Sequence, residues 1–210
     1  MTPIETVDEL VALLGEPTER AATKGRPSLL EVDRQWLAAS PFCVISTSDA
    51  EGNCDASPKG DPAGQLVHVV DDTTIAIAER PGNRRADGYR NVLSNPHVGL
   101  LFLIPGRTDT LRINGRARLV SDAPFFDAMA VRGRRPILAL VVEVDDIFFH
   151  CAKAFLRSSL WEPETWQGGA DAAACAVPSR PEIAKAVELD TRSIEELEAY
   201  YGPSYADGLY

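Results

Sequence analysis

Residues Asp109–Val120 place the strongest constraint on the fold. Leu111, Ile113, Ala117 and Leu119 alternate with Arg112, Asn114, Arg116 and Arg118, and Gly115 falls in the apolar register. Residues two apart share a face only in an extended chain, so this pattern predicts a strand with one core face and one basic face. Other segments read the same way. Phe42–Thr47, Cys54–Lys59, Gln65–Val70 and Thr74–Ala78 are rich in small, β-branched or alternating residues. Val98–Ile104 and the start of Ile137–Phe149 are continuously apolar, as buried strands are. Short polar turns join them at Asp49–Asn53, Asp71-Asp72 and Pro105–Thr108. Six or seven strands with short turns and one inserted helix predict a mainly β, antiparallel sheet that closes into a barrel, with short peripheral helices. No G-x-G-x-x-G, P-loop or G-x-S-x-G is present, so the common dinucleotide and hydrolase chemistries have no support.

The termini read differently. Thr6-x-x-Glu9 is a capping box that opens a short helix, Leu29–Ala39 reads as a second helix, and Thr18–Pro27 reads as a loop. Pro124 is expected to open a short helix through Met129, with Arg132–Pro136 a polar loop. From Gln167 the chain turns Gly/Ala-rich, then gives two helical stretches at Pro181–Leu189 and Ser193–Tyr201 and an aromatic end, YYGPSYADGLY. The expected organisation is an N-terminal helical extension (1–40), a β domain (41–166) and a C-terminal connector with helical tail (167–210). The start of the chain has acids where a signal peptide has bases, and no apolar run is long enough to span a membrane. The four cysteines show no C-x-x-C spacing, so free thiols in reducing cytoplasm are expected, with no metal site.

The chemistry concentrates in Thr74–Ile104. A strand ends at Glu79-Arg80-Pro81-Gly82, where proline lacks a ladder donor and glycine permits a left-handed backbone. Asn83 stands where it can cap the next helix. Ala86, Tyr89 and Val92/Leu93 recur at helical spacing, and Asn95-Pro96 stops that helix. Arg84 and Arg85 are then expected in the first helical turn, where free amides and the dipole already carry positive charge. Two cations there are unfavourable for the helix by itself, which points to a bound anion such as phosphate. The bland alternative is a solvated arginine pair. Charge distribution favours the ligand: the chain is net −10, yet Arg80–Arg135 holds eleven arginines, no lysine and four acids, leaving −17 for the rest. An acidic chain repels a polyanion beyond such a patch, so nucleic acid is not the expected partner.

These residues resemble the pyridoxamine 5′-phosphate oxidase-related flavoproteins, whose fold is the FMN-binding split β-barrel. The resemblance runs from about Pro41 to Trp166. It rests on the strand Thr74–Ala78, the loop Asn83-Arg84-Arg85, the strand Asn95-Pro96-His97-Val98-Gly99-Leu100-Leu101-Phe102, and Arg112-Ile113-Asn114-Gly115-Arg116. SPKGDPAG, RPGNRR, LRINGRA and FFHCAKAFLRSSLW are similar to one subgroup of mostly unassigned substrate.

The resemblance implies an FMN-dependent oxidoreductase, a homodimer with FMN at the subunit interface. Arg84 and Arg85 would hold the phosphate with Asn83 beside them. Ser57, Pro58 and Lys59 would run along the ribityl chain and ring, and Glu79 and Arg80 would touch the ring. Thr110, two residues before Arg112, stands where the oxidases carry a glutamine that contacts the flavin, and Arg112 is expected among the cofactor-binding residues with it; the hairpin strand Asp55–Gly60 occupies the place of the family's flavin-facing strand. Lys153, Ser159 and Trp161 would reach the site from the partner subunit. The chain departs from the oxidases at its end, which is acidic and aromatic where theirs is Arg-rich. Other readings on the same fold are a non-enzymatic flavin-binding or flavin-sensing protein, a deazaflavin (F420) reductase using Arg107, Arg132, Arg134 and Arg135, and a haem-degrading protein using His97 or His150.

Overall fold

A computed structural model describes residues 1–166, 176–188 and 190–210. The expected connector from Gln167 lies largely outside these residues, as does Leu189. Among the described residues the chain runs α1 (Val7–Leu14), α2 (Glu19–Ala22), α3 (Glu31–Ala39), β1 (Phe42–Ser48), β2 (Cys54–Gly60), β3 (Val67–Val69), β4 (Thr74–Ala78), α4 (Asp87–Ser94), β5 (His97–Leu103), β6 (Thr110–Val120), β7 (Ala139–His150), α5 (Lys153–Ser158), α6 (Arg180–Val187) and α7 (Ile194–Tyr200). Three-residue 3-10 turns at Asp127–Met129 and Pro163–Thr165, and a longer one at Pro203–Gly208, complete it.

All seven strands form one antiparallel sheet in the order β2-β1-β5-β6-β7-β4-β3. The sheet does not close: among the described residues β2 pairs only with β1 and β3 only with β4. The barrel is therefore split, and the closure expected from the turn pattern is incomplete. The edge position of β2 follows from Pro58, which cannot donate to a further strand. β6 has the burial alternation its sequence predicts, and the alternation survives a bulge at Asn114/Gly115. Gly115 is needed there because a Cβ would lie 2.1 Å from the Glu143 carbonyl oxygen.

Two apolar layers hold the sheet. The inner one gathers Cys43, Ile45, Ile75, Ile77, Leu100, Phe102, Leu111, Ile113, Leu140 and Val142, closed by Leu29, Trp36 and Leu37 from and beside α3. The second lies on the outer face of β4 and β7, where Phe126 and Met129 cover Ala76, Ala78, Ala139 and Val141. This cover explains why β7 begins apolar on both faces: the second face is buried by the same chain. Ile137, expected at the start of that strand, lies outside it and is exposed. Asp33 secures α3. Its buried carboxylate takes both amino groups of Arg26, at 2.7 and 2.9 Å, and the Leu30 amide at 2.8 Å.

Further differences are local. The expected loop Thr18–Pro27 contains α2, started by the Thr18 hydroxyl, which accepts from the Ala21 amide. The expected helix at Pro124–Met129 is reduced to 3-10 geometry at Asp127–Met129. α1 has its Thr6/Glu9 capping box but buries none of its residues. No helix among the described residues is long and apolar enough to cross a membrane.

Candidate functional site

A cavity of about 520 Å³ opens between the edge strand β2, the end of β4, the 81–86 loop and the start of α4. Period two explains its β2 wall. Asp55, Ser57 and Lys59 are half-buried toward the cavity, while Cys54 and Ala56 are exposed and do not line it; exposed Pro58 borders it at the strand edge. Their partners on β1 are Thr47, Ile45 and Cys43, which are buried beneath them. Gly88 lets the start of α4 descend onto this wall: a Cβ there would lie 2.9 Å from Asp55 Oδ2 and 3.4 Å from Thr47 Oγ1.

Three bases in the cavity are held by three acids. Lys59 Nζ donates to Glu79 Oε2 at 2.6 Å. Arg80 Nε donates to Asp61 Oδ2 at 2.8 Å, and its Nη2 to the Met129 carbonyl at 3.0 Å. Arg85 Nε donates to Asp87. The same Glu79 oxygen accepts the Tyr89 hydroxyl, and Lys59 lies 4.6 Å from the Tyr89 ring centre. Burial first, then the bond to anionic Glu79, pushes the Tyr89 phenol far up, so it stays protonated. Cys43 sits beneath Lys59 in the sheet register; burial pushes its thiol up to about 12, with Lys59 pulling weakly the other way. The thiol is therefore neutral at physiological pH.

Two charged groups are left over. Among the described residues Asp55 accepts only from Ser57 Oγ, at 2.6 Å. Arg84, exposed at the rim, makes no salt bridge among the described residues. Arg84 and Arg85 do not stand in the first helical turn as the spacing predicts. The helix starts at Asp87, and Ala86 is its N-cap residue with a left-handed backbone. Arg84 is also left-handed, at φ 62°, beside Ala86 at 56°. Neither residue is glycine, so both carry strain, which concentrates at ligand-binding sites. Asn83 does not cap the helix; its Oδ1 accepts from the Arg85 amide at 3.0 Å and stiffens the loop.

Eight of the thirteen residues expected at the site line this cavity: Ser57, Pro58, Lys59, Glu79, Arg80, Asn83, Arg84 and Arg85. The other five do not line it in a single chain. Thr110 is buried opposite His150, and the Arg112 guanidinium lies 5.3 Å from the Phe148 ring centre. Lys153 opens α5, and Ser159 ends it with a left-handed backbone. Trp161 stacks on Phe155 and donates its indole N–H to the Arg107 carbonyl at 2.7 Å. Sequence reasoning missed Asp55, Asp61, Gly88, Tyr89, Leu209 and Tyr210, all of them in the cavity wall. Asp55 is two residues before Ser57, so strand alternation points to it. Helical spacing makes Tyr89 an apolar position; only the fold shows its hydroxyl reaching Glu79.

The family model described as Pyridoxamine 5′-phosphate oxidase matches residues 29–151. No curated protein matches the chain. Solved structures with partial likeness include HupZ of Group A Streptococcus, 18% identical, covering 58% of this chain and 93% of that one at a TM-score of 0.46. General Stress Protein 26 of Bacillus anthracis is 16% identical over 55% of this chain and 88% of that one, TM-score 0.42. HutZ of Vibrio cholerae, described as a haem storage protein, is 14% identical over 58% and 93%, TM-score 0.40.

Proposed function

The chain belongs to the pyridoxamine 5′-phosphate oxidase family, and from that membership we propose that it is an FMN-dependent oxidoreductase acting on a small organic substrate. The observation that carries the reading is the uncommitted Arg84 guanidinium at the rim of the cavity, next to Arg85 and the start of α4. A phosphate monoester suits it: forked guanidinium donors beside a helix N-terminus can bind two or three of its anionic oxygens at once. The second uncommitted group, Asp55, has acceptor capacity left for the hydroxyls of a polyol chain. Phosphate plus polyol is the non-ring half of FMN. The Lys59–Glu79–Tyr89 cluster then supplies a polar wall for the ring, with Tyr89 as a fixed neutral donor and Lys59 as a fixed cation.

FMN would supply the redox chemistry, and the chain's own residues would bind, orient and exclude water. No triad is needed, because hydride transfer at a flavin requires no protein nucleophile. Among the described residues no histidine lines the cavity, which favours flavin over haem. We propose further that a second copy completes the site, bringing Thr110, Arg112, Lys153, Ser159 and Trp161 toward the ring in a homodimer. The test is direct: purify the protein, denature it, and measure the absorbance and mass of the released cofactor. Release of FMN, and its loss from an Arg84→Ala/Arg85→Ala variant, is the expected result. A released deazaflavin or haem, or a double variant that purifies fully yellow, overturns the reading.

A further inference from the structure

Asp61 lines the cavity with a carboxylate that is 2% exposed. Its two oxygens are held differently. Oδ2 takes Arg80 Nε at 2.8 Å. Arg80 Nη2 is tied in turn to the Met129 carbonyl, and the Asp61 amide donates to the Pro41 carbonyl at 3.1 Å. This side of the pair is therefore fixed by the β domain and its cover. Oδ1 has one donor among the described residues, the Tyr210 hydroxyl at 2.9 Å. Tyr210 comes from the far end of the sequence, and with Leu209 it lines the cavity beside Arg80. A buried acceptor left without a donor costs its full desolvation penalty, so this oxygen calls for a hydroxyl whether or not the tail supplies it. The surroundings specify what carries that hydroxyl. The Tyr210 ring centre lies 5.9 Å from the guanidinium carbon of Arg80 and 5.0 Å from that of Arg132. Two cations at this range favour an aromatic face between O–H donor and solvent. The acceptor is anionic, so it takes a neutral donor and repels a carboxylate or a phenolate. Partial burial, and then the bond to Asp61, accordingly push the Tyr210 phenol up and keep it protonated.

We propose that the Asp61–Arg80 end of the cavity is a binding site for a hydroxyaryl ligand, and that Tyr210 occupies it in cis as a tethered competitor. Asp61 Oδ1 reads the hydroxyl, and the guanidinium groups of Arg80 and Arg132 accept the ring. The site stands on these contacts alone. That its ligand is the substrate of a bound flavin rests on the flavin reading of the cavity, in which Arg80 borders the flavin ring. A tethered group competes at an effective concentration of about millimolar, which is enough to hold off a small, weakly bound phenol. A free hydroxyaryl compound therefore gains the site by displacing Tyr210, and the tail sets the threshold at which it does so.

The test uses p-cresol, which is the tyrosine side chain as a free molecule, and 4-methylanisole, which keeps the ring and the oxygen but cannot donate. Both are titrated without flavin, by ligand-observed NMR, against the full chain, Tyr210→Ala, and a chain ended at Gly208 that removes the competitor in a second way. FMN is titrated separately by fluorescence. Loss of the tethered ring is expected to tighten p-cresol binding about tenfold over the full chain, while 4-methylanisole binds none of the three. Equal p-cresol binding to all three, or binding to none, overturns the site, and FMN binding in the same preparations then leaves the flavin reading standing. Equal binding of the two probes overturns Asp61 as the reader of the hydroxyl. If no flavin binds, yet p-cresol prefers the two altered chains, the hydroxyaryl site stands and the flavin reading falls.

Discussion

Arg84→Gly should raise the stability of the ligand-free protein while weakening ligand binding. Arg84 sits at φ 62° with no ion pair among the described residues. Relieving a left-handed non-glycine residue is worth roughly 1–2 kcal/mol. Glycine gives back about 0.5–1 kcal/mol through the greater freedom of the unfolded chain. The net gain is about 0.5–1 kcal/mol, or roughly 1–4 °C for a domain of this size. Arg84→Ala is the control, because alanine keeps the left-handed strain and should leave the transition within about 1 °C. Both variants lose the rim cation, and a charge-assisted hydrogen bond of roughly 1.5–3 kcal/mol corresponds to about tenfold to a hundredfold weaker FMN binding. Scanning fluorimetry without ligand and fluorescence titration with FMN read the two effects separately. A glycine variant less stable than the parent would refute the strain argument, and unchanged FMN affinity in both variants would refute the role of Arg84.

Buried groups give two more outcomes. The Cys43 thiol has a folded-state value raised to about 12 from 9.0, so its contribution is complete below pH 9 and is lost as pH rises toward 12. The loss is up to about 4 kcal/mol, read as the difference between urea melts of the parent and Cys43→Ala across that range; parallel curves would sink it. In the native protein Cys43 should also resist thiol reagents while exposed Cys54 and Cys151 react, as mass-mapped labelling would show. Asp33→Ala strips a buried carboxylate from Arg26 and from the Leu30 amide, and should cost roughly 3–5 kcal/mol. A urea midpoint shifted by less than a third of that would mean water replaces the carboxylate.

The β architecture was legible because strand alternation is a local property. Leu111, Ile113 and Ala117 against Arg112, Asn114 and Arg116 determine a face without reference to any neighbour. The rim of the site was legible through charge, since Arg84 and Arg85 stand out in an acidic chain. Their backbone setting was not, because nothing in Arg84 or Ala86 announces a left-handed conformation; it is imposed by what the loop joins. Asp61 and Tyr210 illustrate a second limit. Each is unremarkable where it stands in the sequence, and their bond exists only because the chain end folds back across the sheet edge. The turn spacing by itself did not show where the barrel is split, since it gives neighbours along the chain and not the partners of β2 and β3; the split came from the family resemblance.

The strand order also governs how the protein must fold. β5, β6 and β7 are consecutive and pair in sequence, so this meander can form early from comparatively local contacts. β1 must then find β5, and β4 must find β7, across long intervening stretches of chain. Such distant pairings bear the loop-closure cost and are the slow steps of β-rich folding. The cavity is walled by β2, which hangs on β1, and by the end of β4, so it comes into being only after both late pairings are made. A ligand of this cavity would therefore meet a chain whose folding is nearly finished and act as a late clamp, expected to slow unfolding and leave the early folding rate unchanged.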